Sequence, residues 1–129
     1  MDNQANRAAV ILVVDDDALI NLNAIDMVEQ LGHTALEAYS GRDALAILAS
    51  NQTIDLLITD YAMPGMTGVE LAHAARALRP GLPIVLATGY SELPDGVDID
   101  LPRLSKPYQQ SDLARHLLLL LNEPVPVTP

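Results

Sequence analysis

Ile54-Asp55-Leu56-Leu57-Ile58-Thr59-Asp60 is an apolar run that closes on a single aspartate, and its reading decides the fold. It is short, partly β-branched and followed by Tyr61-Ala62-Met63-Pro64-Gly65-Met66-Thr67-Gly68, a stretch rich in turn residues. Such a run reads as a buried strand. Pro64, Gly65 and Gly68 break it, so Asp60 falls at the strand's C-terminal end. In an open parallel α/β sheet that end is where ligands bind. Val10-Ile11-Leu12-Val13-Val14 stops in the same way at Asp15-Asp16-Asp17, and Ile84-Val85-Leu86-Ala87 stops at Thr88-Gly89. A shorter run from Leu101 to Leu104 leads to Lys106-Pro107. If these strands are parallel neighbours, carboxylates, a hydroxyl and an ammonium share one rim.

The segments between the runs carry helical patterns. Ile20, Ala24, Met27, Val28 and Leu31 recur at helical spacing after Asp17, a plausible N-cap, and Gly32 stops that helix. Thr34 to Ala38 is a weak strand candidate. Ser40-Gly41-Arg42-Asp43 opens a second helix running to about Ser50, with Ala44, Leu45, Ile47 and Leu48 on its buried side. Thr67 with Glu70 three residues on forms a capping box for a helix from Gly68 to Leu78, which Arg79-Pro80-Gly81 ends. Leu82 to Thr88 is the next strand, and Ser111 is expected to cap a last helix from Asp112 to about Asn122. Ser91 to Pro102 holds Pro94, Gly96 and Pro102, so at most one helical turn is expected there. Alternating strands and helix-length connections predict a parallel sheet with helices on both faces. The expected organisation is an arm over residues 1–9, one domain over 10–122, and a Pro-rich tail or linker stub over 123–129.

Composition narrows the function. A chain of 129 residues is the size of one domain. Half of it is hydrophobic, which excludes a disordered chain, and all four aromatics are Tyr, so the core must be aliphatic. The net charge of -10 repels nucleic-acid phosphates and anionic membranes and favours divalent cations and basic partners. The absence of cysteine removes disulfides, thiolate catalysis and Cys-based zinc sites. The polar N-terminus has no signal-peptide apolar core, and no run approaches a membrane span, so a cytoplasmic protein is expected.

Converging carboxylates repel one another, and the arrangement persists when a hard cation fills the gap. Oxygen-only ligands suit Mg2+. Asp17 alone reads as a helix cap, whereas Asp15 and Asp16 with Asp60 end two separate strands and read as a cation site. Thr88 or Lys106 alone would be a strand-end hydroxyl and a surface lysine. Pro107 requires an extended residue before it, which would set the Lys106 ammonium at the rim. A hydroxyl and an ammonium beside a carboxylate and a metal neutralise a transferring phosphoryl group from several sides. The carboxylate would be the nucleophile, giving an acyl phosphate.

On Asp15-Asp16 after Val13-Val14, Asp60 with Met63-Pro64 and Gly68, Thr88-Gly89, and Lys106-Pro107-Tyr108, the chain resembles the receiver domains of two-component response regulators. The resemblance covers about Val10 to Leu121. It implies a flavodoxin-like, doubly wound, five-stranded parallel sheet in the order 2-1-3-4-5. It also implies that Asp60 takes a phosphoryl group from a phosphohistidine on a sensor histidine kinase or phosphotransfer protein. Asp15, Asp16 and Asp60, with the backbone carbonyl of Ala62, would hold Mg2+; Thr88 and Lys106 would contact phosphoryl oxygens. By the same resemblance, Gly89 would be the small residue that leaves the phosphoryl group accessible. The chain would be a phosphoacceptor assisting its own phosphorylation and dephosphorylation, a monomer or weak dimer, without nucleic-acid or membrane binding.

The chain departs from the family pattern at two places. Arg103 stands where the family often has the aromatic that swings inward on activation, and the span from Thr88 to Lys106 is short by about one helical turn. A shortened or missing fourth helix follows. The wording from Ala87 to Glu92 and from Leu104 to Tyr108 looks most like receivers of hybrid histidine kinases and their free-standing relatives. His33 follows a helix-ending glycine and reads as a turn residue, and His73 and His116 sit on helices with no second ligand at metal spacing, so all three read as structural. The five leucines from Leu117 to Leu121 cover every direction of a helix, so some must face outward or a partner. Two rivals remain. One is a pseudo-receiver that binds partners without phosphorylation. The other is a haloacid-dehalogenase-type phosphatase with Asp15 as nucleophile, which needs an acidic pair after the lysine, where only Asp112 and Glu123 follow.

Overall fold

The computed structural model describes residues 8–89 and 101–121. Strands β1 (Val10–Val14), β2 (Thr34–Ala38), β3 (Leu56–Asp60), β4 (Ile84–Thr88) and β5 (Arg103–Ser105) form one parallel sheet in the order β2-β1-β3-β4-β5. Helices α1 (Ala18–Gln30), α2 (Gly41–Leu48), α3 (Gly68–Leu78) and α4 (Gln110–Leu121) complete the described elements.

Side chains alternate across a strand, so each apolar run serves two cores. Leu12, Val14, Leu57 and Ile84 face one way and pack with Ala44 and Leu48 of α2 and Leu71 and Ala75 of α3. Ile11, Val13, Leu56, Ile58 and Val85 face the other way and pack with Ala24 and Val28 of α1 and Leu113 and Leu117 of α4. Each buried Leu, Ile or Val among them contributes roughly 1.5–3 kcal/mol relative to exposure, and each alanine less. The requirement of both faces for cover explains why β3 and β4 read as unbroken apolar runs. The strand order reverses between β1 and β3, so the crevice at their C-terminal ends is the topological switch point.

Several boundaries differ from the sequence expectation. The ladder with β4 begins at Arg103 rather than Leu101, because Pro102 has no N–H to give and offers only its carbonyl, to Leu86 N at 2.9 Å. Leu101 packs instead against the α2–α3 core. Ser111 lies inside α4 rather than capping it. The chain enters that helix at Gln109, whose N–H donates to Asp112 Oδ2 at 3.0 Å. On α1 the buried stripe is Asn21, Ala24 and Val28, while Ile20 is exposed. Asp17 does cap α1, accepting from Leu19 N and Ile20 N, and the Thr67–Glu70 capping box is present. Ala9 is buried and bonds through its carbonyl to Thr34 N. The expectation of a shortened or missing fourth helix falls on residues 90–100, and most of the arm and the whole tail fall on 1–7 and 122–129; these lie outside the described residues.

Candidate functional site

The rim above the switch point is built by strand ends. Asp60 is the last residue of β3 and is 4% exposed; Asp15 follows β1 and is 6% exposed. Asp16 next to it is exposed. Thr88 ends β4, buried, and Lys106 follows β5. The backbone N–H of Lys106 donates to Thr88 O at 2.8 Å, which fixes the start of the lysine turn against the end of β4. From there the Lys106 ammonium reaches back across the rim. It donates to Asp60 Oδ1 at 2.6 Å and lies 3.7 Å from Asp15 Oδ2.

Asp15 is oriented by its neighbours. Its N–H donates to Ala38 O at 3.3 Å, and its Oδ1 accepts from Asp17 N at 2.9 Å. Burial pushes its carboxyl above the ordinary carboxylate value; the charges of Asp16 and Asp17 add to this, while the Asp17 N–H and Lys106 oppose it. Oxygen atoms of Asp15, Asp16 and Asp60 lie within 4.8 Å of one another, the one such cluster among the described residues. All its donors are hard carboxylate oxygens, the donor set of Mg2+ rather than of zinc or copper. The cluster therefore fits a hard divalent cation.

The loop after β3 is pinned to the strand end. Gly68 N donates to Tyr61 O at 2.8 Å, and a Cβ at Gly68 would run into the Asp60 carbonyl oxygen and the Leu86 side chain. Only glycine permits that approach. Ala62 is exposed in this loop, two residues beyond Asp60. Tyr108, just past Lys106, packs against the α1–α4 core. Burial, then the charge of Asp15, raises its phenol above the ordinary value.

Sequence reasoning thus put Asp15, Asp16, Asp60 and Lys106 in one site, and these four converge, with Thr88 at the end of the adjoining strand. Asp17 turns away to cap α1. The histidines stand elsewhere. His33 Nδ1 accepts from Ala9 N at 3.0 Å, and His73 is exposed on α3. The His116 ring lies 3.0 Å from both Asp112 O and Arg103 O, linking α4 to β5. Asp112 is engaged by Gln109 N and Arg115, so it is occupied in starting α4. Sequence reasoning missed Asn21. It is fully buried on α1 and donates to Val13 O at 3.4 Å and Ala38 O at 3.2 Å, beside the carboxylate turn. A polar residue inside an apolar helical stripe was the available signal.

Residues 11–117 match the family model described as the response regulator receiver domain. The response regulator receiver protein CpdR of Brucella abortus is 32% identical over 115 residues, covering 86% of this chain and 95% of that protein. The transcriptional regulatory protein GlrR of Escherichia coli K12 is 31% identical over 94 residues, 72% of this chain and 21% of that protein. The chain thus spans about a fifth of the length of that regulator. Among solved structures, the receiver domain of the hybrid histidine kinase CckA superposes with a TM-score of 0.74 at 32% identity, covering 88% of this chain and 99% of that one.

Proposed function

The chain belongs to the response regulator receiver domain family of two-component systems, and from that premise we propose that it is a phosphoacceptor whose nucleophile is Asp60. The observation that carries this reading is the Lys106 ammonium 2.6 Å from Asp60 Oδ1, beside two more carboxylates and at the sheet's switch point. Asp15, Asp16 and Asp60, with the carbonyl of Ala62, would hold Mg2+. When bound, the ion would offset the carboxylate charge and that of the incoming phosphoryl oxygens.

In the proposed transfer an Asp60 carboxylate oxygen bonds to phosphorus while the P–N bond of a phosphohistidine breaks. The imidazole nitrogen keeps the bonding electrons, and the product is an aspartyl phosphate. Lys106 already lies against Asp60 and stays to pair with a phosphoryl oxygen, so it needs little reorganisation. The Thr88 hydroxyl donates to another oxygen. Gly68 keeps the Asp60 carbonyl close to the loop, holding the carboxylate's backbone still. Attack by water on phosphorus later breaks the acyl phosphate, returning the carboxylate and releasing phosphate. The protein is a substrate and assistant in this exchange rather than a turnover enzyme.

The donor in this reading is a sensor histidine kinase or a phosphotransfer protein. With -10 net charge, DNA and anionic membranes are not partners, and the chain works in the cytoplasm as a monomer or weak dimer. Among the described residues no helix is long and apolar enough to cross a membrane. Acetyl phosphate with Mg2+, followed by intact-mass analysis, tests the assignment. The parent should gain one phosphoryl group and Asp60→Asn none. Labelling retained in Asp60→Asn would overturn it. No labelling of the parent would indicate a pseudo-receiver, and steady phosphate release that depends on Asp15 would indicate a phosphatase.

A further inference from the structure

Asn21 occupies a place where a helix in contact with a sheet ordinarily carries an aliphatic residue. It shares the fully buried stripe of α1 with Ala24 and Val28. Its amide nitrogen donates to two backbone carbonyls on different strands, Val13 O of β1 and Ala38 O of β2. Its carbonyl oxygen is buried with no hydrogen-bond partner. The Tyr39 hydroxyl donates to Glu37 at 2.9 Å, and its oxygen faces the amide end of Asn21 rather than the Asn21 carbonyl oxygen. A buried polar oxygen without a partner is unfavourable, and a leucine or valine would avoid it. A chain that keeps such a group needs the half that is satisfied.

That half sits at the root of the carboxylate turn. Val14 and Ala38 form the last rung between β1 and β2, and beyond it the strands part. Ala38 O receives both the Asn21 amide and the Asp15 N–H, at 3.2 and 3.3 Å. One acceptor therefore ties the side chain of Asn21 to the backbone of Asp15. Each bond is long, and together they fix where β1 ends and the acidic turn begins. Lys106 offsets part of the repulsion among three carboxylates within 4.8 Å, and the anchored backbone resists the rest. Holding ligands near their bound geometry before the cation arrives raises affinity without adding a ligand.

We propose that Asn21 is a positioning residue for the cation site: through Val13 O and Ala38 O it holds Asp15 and Asp16 facing Asp60. The proposal rests on the phosphoacceptor reading above and assigns Asn21 no contact with the ion. Outer partners of metal ligands are typically worth about 10–100-fold in affinity.

The test is a calorimetric Mg2+ titration of the whole chain, its Asn21→Val and Asn21→Ala variants, and Val28→Ala from the same stripe. Melting temperature in chelator and hydrogen exchange at the Asp15 amide are measured alongside. Asn21→Val should weaken Mg2+ binding by about tenfold. In chelator it should melt at or above the parent temperature, since the unpartnered oxygen is gone, and the Asp15 amide should exchange faster. Acetyl phosphate labelling should return to nearly the parent rate at saturating Mg2+. Asn21→Ala should weaken Mg2+ binding similarly. Val28→Ala should melt lower with Mg2+ binding unchanged. Parent-like Mg2+ affinity in both Asn21 variants overturns the proposal, as does an equal loss in Val28→Ala. If the parent itself binds no Mg2+, the phosphoacceptor reading fails, and this inference fails with it.

Discussion

Lys106 and Asp60 come from strands that are not neighbours, yet their side chains meet at 2.6 Å across the end of β4. The ammonium is drawn in by two carboxylates at once, since Asp15 Oδ2 lies 3.7 Å away. Among the described residues it is therefore a cation that steadies the acidic rim.

Lys106→Met keeps the aliphatic stem and removes that charge. Asp60 is nearly fully buried, so its carboxylate would lose a charge-assisted hydrogen bond worth about 1.5–3 kcal/mol. Urea unfolding in chelator should show a loss of that size, and millimolar Mg2+ should recover much of it. Unchanged stability in chelator would mean that the pair contributes nothing to the folded state.

Mg2+ should raise the melting temperature of the parent. A ligand bound only by the folded state adds RT ln(1 + [L]/Kd), about 2.7 kcal/mol at about 100 Kd. Asp16 is exposed and has oxygen within reach of both other carboxylates, so Asp16→Ala removes a proposed ligand with little disturbance to packing. It should abolish the Mg2+ shift and melt no lower than the parent in chelator. A full Mg2+ response in Asp16→Ala would put the metal elsewhere.

At the opposite end of β1, His33 accepts from Ala9 N, and burial depresses its imidazole below the ordinary 6.5, against a smaller opposing effect of Asp55. The fold therefore favours the neutral ring. Its contribution is complete above pH 6.5 and is lost as pH falls through the lower folded value. Asp15 works the other way. Its carboxyl is raised above 3.8, so its share is present below that value and lost as pH rises through the folded one. Comparing urea unfolding of the parent with His33→Asn from about pH 7.5 to about pH 5 isolates the imidazole. The parent should lose more stability over that window. Parallel curves would show that His33 does not couple folding to protons.

Much of this was legible in the chain. β1, β3 and β4 need both faces covered, which leaves unbroken apolar runs in the sequence, and each run stops at a residue that sits on the rim. Asp60 and Asp15 were visible because a carboxylate directly after such a run has few other uses. Less visible were features set by tertiary contact. Asn21 sits at a helical position that polarity assigns to solvent, and only the parting of β1 and β2 makes its amide useful there. Ser111 matched a cap pattern, but the Asp112 carboxylate reaches back to Gln109 N and starts α4 earlier. β5 was displaced by Pro102, whose missing donor matters only once β4 lies alongside.

The family resemblance attaches a moving aromatic to the position of Arg103. In β5 the pattern is exposed, buried, exposed: Leu104 faces the core, and Arg103 and Ser105 face out. The Arg103 carbonyl lies 3.0 Å from the His116 ring, so the strand is held against α4 at that residue. Turning Arg103 inward would bury a guanidinium without a partner among aliphatic side chains, at a cost of several kcal/mol. Activation should therefore leave it at the surface and be carried by the loops after Asp60 and Thr88. Tyr90, outside the described residues, is the natural probe of the segment after Thr88. NMR of the apo and beryllofluoride-bound forms should show shifts in those loops and an unchanged Arg103 side chain, and light scattering should show no gain in mass. Contacts from the Arg103 side chain to Leu86 or Leu104 in the bound form, or dimerisation through β5 and α4, would show that this position switches after all.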